Sequence, residues 1–152
     1  MKKNLKNPED KKPREITRVG VYGVVMEEGK MLLIRQNKGP YKGMLDFPGG
    51  GIEFGESPEL ALRREFVEEV AMEFDSMQLI DNLTTTINVP SLASIQAYTL
   101  FQVGMIYQVN GCQYTESQVK QEFEPIWIDP KGISEDQCSN LLWKYLQTQF
   151  LK

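Results

Sequence analysis

The sequence of 152 residues contains no histidine. Histidine is the commonest general base and a common metal ligand, so a catalytic or metal site in this chain must be built from oxygen atoms. Cysteine is also scarce, since Cys112 and Cys138 are the only two and their spacing is not that of a metal-binding pair. Two isolated cysteines are typical of a reducing compartment, and we expect ordinary free thiols.

Long apolar runs are missing as well. No segment approaches the roughly 18 apolar residues that cross a bilayer, so we expect neither a membrane span nor a membrane partner. The lysine-rich N-terminus has no apolar core behind it, which is not the pattern of a secretory signal and favours a cytoplasmic location. A chain of this length is typical of one domain with one sizeable core.

Positive charge is scarce outside the first 14 residues. The net charge is −4, and residues 1–14 carry six Lys or Arg against two acids, which leaves −8 for the remainder. An acidic body is not expected to bind nucleic acid, because phosphate backbones are bound mainly by clustered Lys and Arg. We predict that residues 1–14 are a disordered basic arm and that residues 15–152 form the folded domain.

The residue pattern predicts two β-hairpins, two helices and one further strand. This order predicts a mixed sheet that is flanked by helices. In chain order we expect a hairpin from about Val19 to Gln36, a glycine-rich loop, a helix after Ser57, a second hairpin joined through Val89–Ser91, a strand at Pro125–Ile128 and a closing amphipathic helix from about Ser134.

The helix after Ser57 carries an unusual concentration of acids. Ser57 supplies an N-cap oxygen, and Pro58 fits the first helical position. Glu65, Glu68 and Glu69 fall within about 100° of arc beside an apolar face, where like charges repel by roughly 0.2–0.5 kcal/mol a pair. They form either an ordinary solvated face or a site for Mg²⁺ or Mn²⁺, which prefer oxygen ligands and often complete their shell with substrate phosphate.

Three consecutive glycines, 49–51, lie just ahead of this helix. A backbone without side chains is either a plain tight turn or a place where a ligand can approach closely. The spacing to the acidic helix distinguishes the two, because five residues separate Gly50 from Glu56 and seven more precede Arg64 and Glu65.

This spacing closely resembles the Nudix box, G-x5-E-x7-R-E-U-x-E-E-x-G-U, in which U is a bulky apolar residue. One fixed position departs from the pattern, because Ala71 replaces the second glycine, and alanine is strained in a left-handed conformation. Leu45 stands where tryptophan is frequent ahead of the box. The matching residues are Gly50, Glu56, Arg64, Glu65, Phe66, Glu68, Glu69 and Met72.

The resemblance implies an α/β protein with a Nudix-like α/β/α sandwich and a mixed β-sheet. It implies Mg²⁺-dependent hydrolysis of a nucleoside diphosphate linked to another moiety X, with Mn²⁺ as a substitute. Glu65, Glu68, Glu69 and the Gly50 carbonyl would bind the metal, Arg64 would join the three glutamates in catalysis, and Glu56 would form a structural ion pair with Arg64.

The resemblance leaves the general base and the substrate contacts open. Glu65 is the expected base within the box, and Glu122 or Glu124 is a distant alternative. The other interpretation of Glu122 and Glu124 is that they are ordinary charged residues of an edge strand. The base or sugar pocket is expected to come from the first sheet and the loop 37–45. The substrate contacts predicted from these segments are Tyr22, Arg35, Tyr41 and Lys42, and Glu122 and Glu124, ahead of the late strand, are predicted contacts as well.

Three functions remain open on the sequence. A nucleoside triphosphate is the first expected substrate, and a nucleotide sugar or ADP-ribose is the next. The third is a non-catalytic nucleotide-binding regulatory module of the same fold, which the intact glutamate set disfavours. A homodimer is also open, because dimers are common among proteins with this box and the closing helix is apolar.

Overall fold

The computed structural model describes residues 14–116 and 120–151. The predicted basic arm lies outside these ranges except for Arg14, which is not part of an arm because it begins the first strand. The elements in chain order are β1 (Arg14–Val24), β2 (Met26–Glu27), β3 (Lys30–Arg35), β4 (Leu45–Asp46), β5 (Gly49–Gly51), α1 (Pro58–Val70), β6 (Met72–Glu73), β7 (Ser76–Val89), β8 (Tyr98–Asn110), β9 (Gln113–Tyr114), β10 (Ile126–Ile128) and α2 (Asn140–Gln149).

The strands form two four-stranded sheets and one small ladder. The first sheet has the order β5-β1-β8-β7, with β1 parallel to β8 and antiparallel to β5. The second has the order β10-β3-β2, with β4 also paired to β3, and β6 pairs with β9. The first sheet contains parallel and antiparallel pairs, so the predicted mixed sheet is confirmed.

The predicted first hairpin is wrong in its extent. Only the two residues of β2 pair back on β3, whereas β1 begins at Arg14 and pairs with β5 and β8. The chain passes from one sheet to the other at Val25, whose carbonyl oxygen accepts a 3.0 Å hydrogen bond from Leu32 N. Local pattern indicated two neighbouring strands but not that they belong to different sheets.

The second hairpin and the late strand are confirmed. Strands β7 and β8 pair antiparallel over nearly their whole length, and β10 pairs with β3. The closing helix starts at Asn140 rather than near Ser134, because residues 135–137 form a 3₁₀ turn and the Ser139 hydroxyl caps α2 by accepting from Leu142 N at 3.2 Å. No helix within the described ranges is long and apolar enough to cross a membrane.

Two hydrophobic cores lie on opposite faces of the sheets. Successive side chains of a strand point to opposite faces. On β1, Tyr22 and Val24 belong to the core that includes α2, whereas Val21 and, just after the strand, Val25 belong to the core that includes α1. Strand β3 alternates in the same way. The two helices therefore cover the two faces, and the expected α/β/α sandwich is confirmed.

Helix α1 has the caps that its sequence predicts at its start and a strained residue at its end. Ser57 Oγ accepts a 3.2 Å hydrogen bond from Leu60 N. At the C-terminus Ala71 has φ 53° and ψ 44°, which is the left-handed conformation that glycine adopts without cost. The Ala71 N–H still bonds the carbonyls of Phe66 and Val67, so the helix ends normally despite the missing glycine.

We predict that Ala71→Gly stabilises the protein by about 0.5–1 kcal/mol, because relief of the left-handed alanine exceeds the added backbone entropy of glycine. Urea denaturation measures this. The matched control is Ala61→Gly in the interior of α1, which should cost about 1 kcal/mol. Equal destabilisation by both changes would show that Ala71 is not strained.

Candidate active site

A cleft of about 600 Å³ opens between α1, the glycine strand β5, the loop that joins β3 to β4, one side of β1 and β8, and the segment 122–123. This volume is within the usual range for sites that bind small molecules. Helix α1 contributes its acidic face to the cleft through Arg64, Glu65, Glu68 and Glu69.

The Arg64 guanidinium connects the acidic helix to the loop before it. Its Nε and Nη2 hold both oxygens of Glu56 at 2.7 and 2.8 Å. Its Nη1 lies 2.9 Å from Glu65 Oε1 and 3.3 Å from Glu68 Oε2, and Nη2 also donates to the Gly51 carbonyl at 3.1 Å. One side chain therefore fixes the loop, the end of β5 and two carboxylates together.

The charges of the Arg64–Glu56 pair are maintained by their contact. The paired hydrogen bonds from Arg64 lower the pKa of Glu56 to about 2 and, from the other side, raise the pKa of Arg64. A bidentate guanidinium–carboxylate pair is also stronger and more directional than a single charged hydrogen bond. The pair therefore stays ionised through the neutral range.

Glycines on β5 allow the strand to approach the α1 carboxylates. A Cβ atom on Gly50 would lie 2.8 Å from Glu65 Oε1, which no larger residue could accommodate without displacing that carboxylate. The Gly49 N–H donates a 2.6 Å hydrogen bond to Glu69 Oε1. Gly50 is therefore required by close contact with the acidic helix and Gly49 by close contact with the β1 backbone at Val21, whereas a Cβ on Gly51 would meet nothing within 4 Å, so the first two glycines are more than a plain turn.

Glu69 is a buried carboxylate with little compensating charge. It is 5% exposed, and burial raises its pKa to about 9, with the charges of Glu65, Glu122 and Asp46 adding to the effect. The hydrogen bond from Gly49 opposes this rise. Burial raises the pKa of Glu65 as well, against the influence of Arg64.

These residues fit a divalent cation in their chemistry. All the donor atoms are oxygens, which suit Mg²⁺ and Mn²⁺. A cation would supply the positive charge that is missing beside the Glu69 carboxylate. Within the described ranges, no three acidic, histidine or cysteine side chains come close enough to enclose a metal ion. A cation held here would need waters or substrate oxygens to complete its shell, which is how proteins usually bind Mg²⁺.

Three of the predicted substrate contacts lie in the cleft, namely Tyr22, Tyr41 and Glu122. The Tyr22 ring lies over Gly20, where a Cβ atom would come within 2.6 Å of the Tyr22 hydroxyl oxygen. Burial raises the pKa of Tyr41 to about 12. The backbone N–H groups of Glu122 and Phe123 cap the carbonyls of residues 68 and 69 at 2.9 and 2.8 Å.

The other three predicted contacts, Arg35, Lys42 and Glu124, are not on the cleft wall. Arg35 donates to the Gly43 carbonyl at 2.9 Å, which directs its guanidinium along its own loop. Lys42 and Glu124 are exposed to solvent. Arg35 ends β3 and Lys42 lies in the loop after it, as predicted, whereas Glu124 precedes β10 and is not on a strand. The direction of each side chain could not be deduced from position.

Several cleft residues were missed by the sequence interpretation. Arg18 and Gln102 are opposite each other on the parallel strands β1 and β8, a pairing between distant segments that no local pattern reveals. Asp46 had a signal, because it stands three residues ahead of the glycine run. The missed lining residues include Arg18, Gln36, Lys38, Asp46, Tyr98 and Gln102.

The fold and the cleft define an α/β/α sandwich with a carboxylate-lined site at the glycine strand. Residues 15–143 match the family model described as the NUDIX domain. The match covers most of the chain, so the protein belongs to the NUDIX family, and the predicted resemblance is confirmed.

Solved structures of the family share this fold. The MutT NUDIX hydrolase from Burkholderia pseudomallei superposes with a TM-score of 0.65 and 19% identity, covering 88% of this chain and 98% of that chain. A NUDIX hydrolase from Nitrosomonas europaea gives a TM-score of 0.64 and 21% identity, covering 90% and 87% of the two chains. At these identities the likeness concerns the fold alone.

Two curated proteins match over shorter stretches. An ADP-ribose pyrophosphatase from Methanocaldococcus jannaschii is 41% identical over 54 residues, which is 36% of this chain and 32% of that protein. An 8-oxo-dGTP diphosphatase from Proteus vulgaris is 35% identical over 63 residues, or 40% and 56% of the two chains. The chain thus matches only about a third to a half of the length of these relatives.

The buried Glu69 predicts a dependence of stability on pH in metal-free protein. Its pKa is raised from 4.5 to about 9 on folding, so the stability that its protonated form provides is complete below about pH 4.5 and is lost as the pH rises toward 9. Glu69→Gln stays neutral and can still accept from the Gly49 N–H. In EDTA at pH 8 it should exceed the wild type by at least about 1 kcal/mol, the equivalent of one pKa unit.

Urea denaturation between pH 5 and pH 9 measures this difference. Glu59→Gln is the matched control on the same helix, because Glu59 is exposed and lies outside the cleft. Parallel curves for the wild type and Glu69→Gln would contradict the raised pKa.

Proposed function

We propose that the protein hydrolyses a phosphoanhydride bond in a nucleoside diphosphate linked to a further group X, with Mg²⁺ as the metal and Mn²⁺ as a substitute. One observation carries the proposal. The acidic face of α1, connected by Arg64 to the glycine strand, opens on a cleft with room for a nucleotide. Acidic side chains without histidine or a nucleophilic cysteine favour attack by water over a covalent enzyme intermediate.

Glu65, Glu68, Glu69 and the Gly50 carbonyl are the groups that would hold the metal. When bound, the cation neutralises charge on the diphosphate oxygens and acidifies water. The role of Arg64 is to orient the carboxylates of Glu65 and Glu68, because its Nη1 donates to Glu65 Oε1 at 2.9 Å and to Glu68 Oε2 at 3.3 Å. Gly50 leaves the space in which the Glu65 carboxylate lies against the strand.

In the proposed reaction a water oxygen bonds to phosphorus, the anhydride P–O bond breaks, and the leaving phosphate departs with the bonding electrons. The water proton passes to a carboxylate. Glu65 is the proposed base, because its burial in the cleft raises its pKa and so favours proton uptake. Glu122 is the second candidate, because it also lines the cleft.

A nucleoside triphosphate is the proposed substrate, and ADP-ribose or a nucleotide sugar is the alternative. The partial relatives support both, since one is named an 8-oxo-dGTP diphosphatase and the other an ADP-ribose pyrophosphatase. A non-catalytic nucleotide-binding module is the other class of function. Retention of all three α1 glutamates favours the enzyme.

The expected partner is a small nucleotide, in a cytoplasmic setting and without nucleic acid. The apolar side of α2 gives no support to a homodimer, because Leu141, Leu142 and Leu146 are buried in the core of the same chain. A homodimer would therefore need another surface.

The direct test is release of phosphate or pyrophosphate from nucleoside triphosphates, nucleotide sugars, ADP-ribose and dinucleoside polyphosphates, each with Mg²⁺, Mn²⁺ or EDTA. Metal-dependent turnover of one class would identify the substrate. No turnover of any of these compounds, together with a nucleotide-induced rise in melting temperature, would favour the binding module.

Glu68→Gln should lower kcat by at least about 100-fold while the melting temperature stays near that of the wild type, because the change removes a metal-binding charge from a partly exposed side chain. Glu59→Gln on the same helix should keep the activity. Wild-type turnover by Glu68→Gln at saturating Mg²⁺ would exclude Glu68 from the metal site.

A further inference from the structure

Gln36 lies in the cleft just after β3, and a buried carboxylate holds its side chain. Its Nε2 donates a 3.2 Å hydrogen bond to Asp46 Oδ2. Asp46 is 7% exposed, and its Oδ1 accepts from Phe47 N at 2.9 Å and from the Ser139 hydroxyl at 2.8 Å. Three donors from three separate segments therefore fix the Asp46 carboxylate, which in turn fixes the nitrogen end of the Gln36 amide.

The backbone of Gln36 is fixed as well. Its N–H donates to the Met44 carbonyl at 2.9 Å, and its carbonyl accepts from Gly43 N at 2.7 Å. These bonds close the loop 37–43 at its base. A long side chain that is held at both ends has already lost much of its rotamer freedom, so a ligand that binds it avoids most of that entropy cost.

The amide oxygen of Gln36 is open to a ligand. In the part of the chain that the structure describes, the Tyr41 hydroxyl is the one buried side-chain polar atom without a partner. Gln36 Oε1 accepts no hydrogen bond from the described residues and is not among the buried unpartnered atoms, so it keeps contact with solvent. The Gln36 side chain lines the cleft. Tyr41 belongs to the same loop and adds an aromatic ring to the same wall.

The charge around Gln36 disfavours a phosphate. The amide donates to the buried Asp46 carboxyl, whose pKa is raised by burial, and the neighbouring Arg35 is directed to the Gly43 carbonyl, so neither group offers positive charge to a phosphate. A neutral, flat group with hydrogen-bonding edges fits instead, and a nucleobase has these properties. An oriented carbonyl oxygen accepts from an N–H donor and repels another acceptor, so it distinguishes bases by their exocyclic groups.

We propose that Gln36 is a specificity-determining residue whose Oε1 binds the exocyclic amino group of the substrate's base, and that Asp46 is the positioning residue that orients it. The inference rests on the proposed function only in taking the ligand to be a nucleotide. Adenine and hypoxanthine are the minimal pair, because position 6 carries an amino donor in adenine and a carbonyl acceptor in hypoxanthine.

Calorimetric titration of the α,β-methylene analogues of ADP and IDP, with Mg²⁺ present, tests the proposal. The wild type should bind the adenosine analogue about tenfold more tightly, which corresponds to one hydrogen bond gained and one repulsion avoided. Gln36→Met should bind the two analogues equally. The matched control is Gln78→Met on β7, an exposed glutamine outside the cleft, which should keep the preference.

Two further variants separate positioning from structural support. Asp46→Asn retains the shape of the side chain but can both donate and accept, so the Gln36 amide can turn over and the preference should fall. Ser139→Ala removes a bond to Asp46 and the cap of α2. It should lower the melting temperature and leave the preference unchanged.

Equal binding of both analogues by the wild type, binding of neither, or a preference that survives Gln36→Met would overturn the proposal. These analogues contain no hydrolysable anhydride, so binding is measured without turnover. A preference in a protein that hydrolyses no nucleotide would support this inference while ending the hydrolase proposal.

Discussion

Arg64 is the side chain on which the geometry of the cleft depends. Its bidentate pairing with Glu56 fixes the loop ahead of α1, and its remaining contacts reach Glu65, Glu68 and the Gly51 carbonyl. A lysine has a single point charge and could not make these contacts at once. The directions of two cleft carboxylates, and the approach of the glycine strand to them, therefore follow from one planar group.

The cost of this arrangement is electrostatic. Burial of Glu69 beside other carboxylates raises its pKa, and among the residues that the structure describes the Gly49 N–H is its direct compensation. Functional sites are where such unfavourable placements are retained, because a ligand relieves them. The cost of ionising Glu69 and the proposed metal are thus connected. A cation would offset the negative charge of Glu69, a carboxylate that Arg64 does not contact.

Local patterns predicted the acidic helix well and the rest of the cleft poorly. Ser57 and the spacing from Gly50 to Glu69 placed α1, its cap and its acidic face, because helix periodicity and capping depend on neighbouring residues. The hydrogen bond between Asp46 and Ser139 joins positions 93 residues apart. The parallel pairing of β1 with β8 joins positions that are also far apart in the sequence, such as Arg14 and Tyr98, and no periodicity within either segment encodes it.

Mn²⁺ binding to the nucleotide-free protein, followed by electron paramagnetic resonance, tests the metal site on α1 most directly. We expect that the wild type binds Mn²⁺, that excess Mg²⁺ displaces it, and that Glu69→Gln weakens binding by roughly tenfold or more. The exposed Glu135→Gln should bind like the wild type. Equal Mn²⁺ affinity in the wild type and Glu69→Gln, or no binding by the wild type, would contradict the assignment of a metal site to α1.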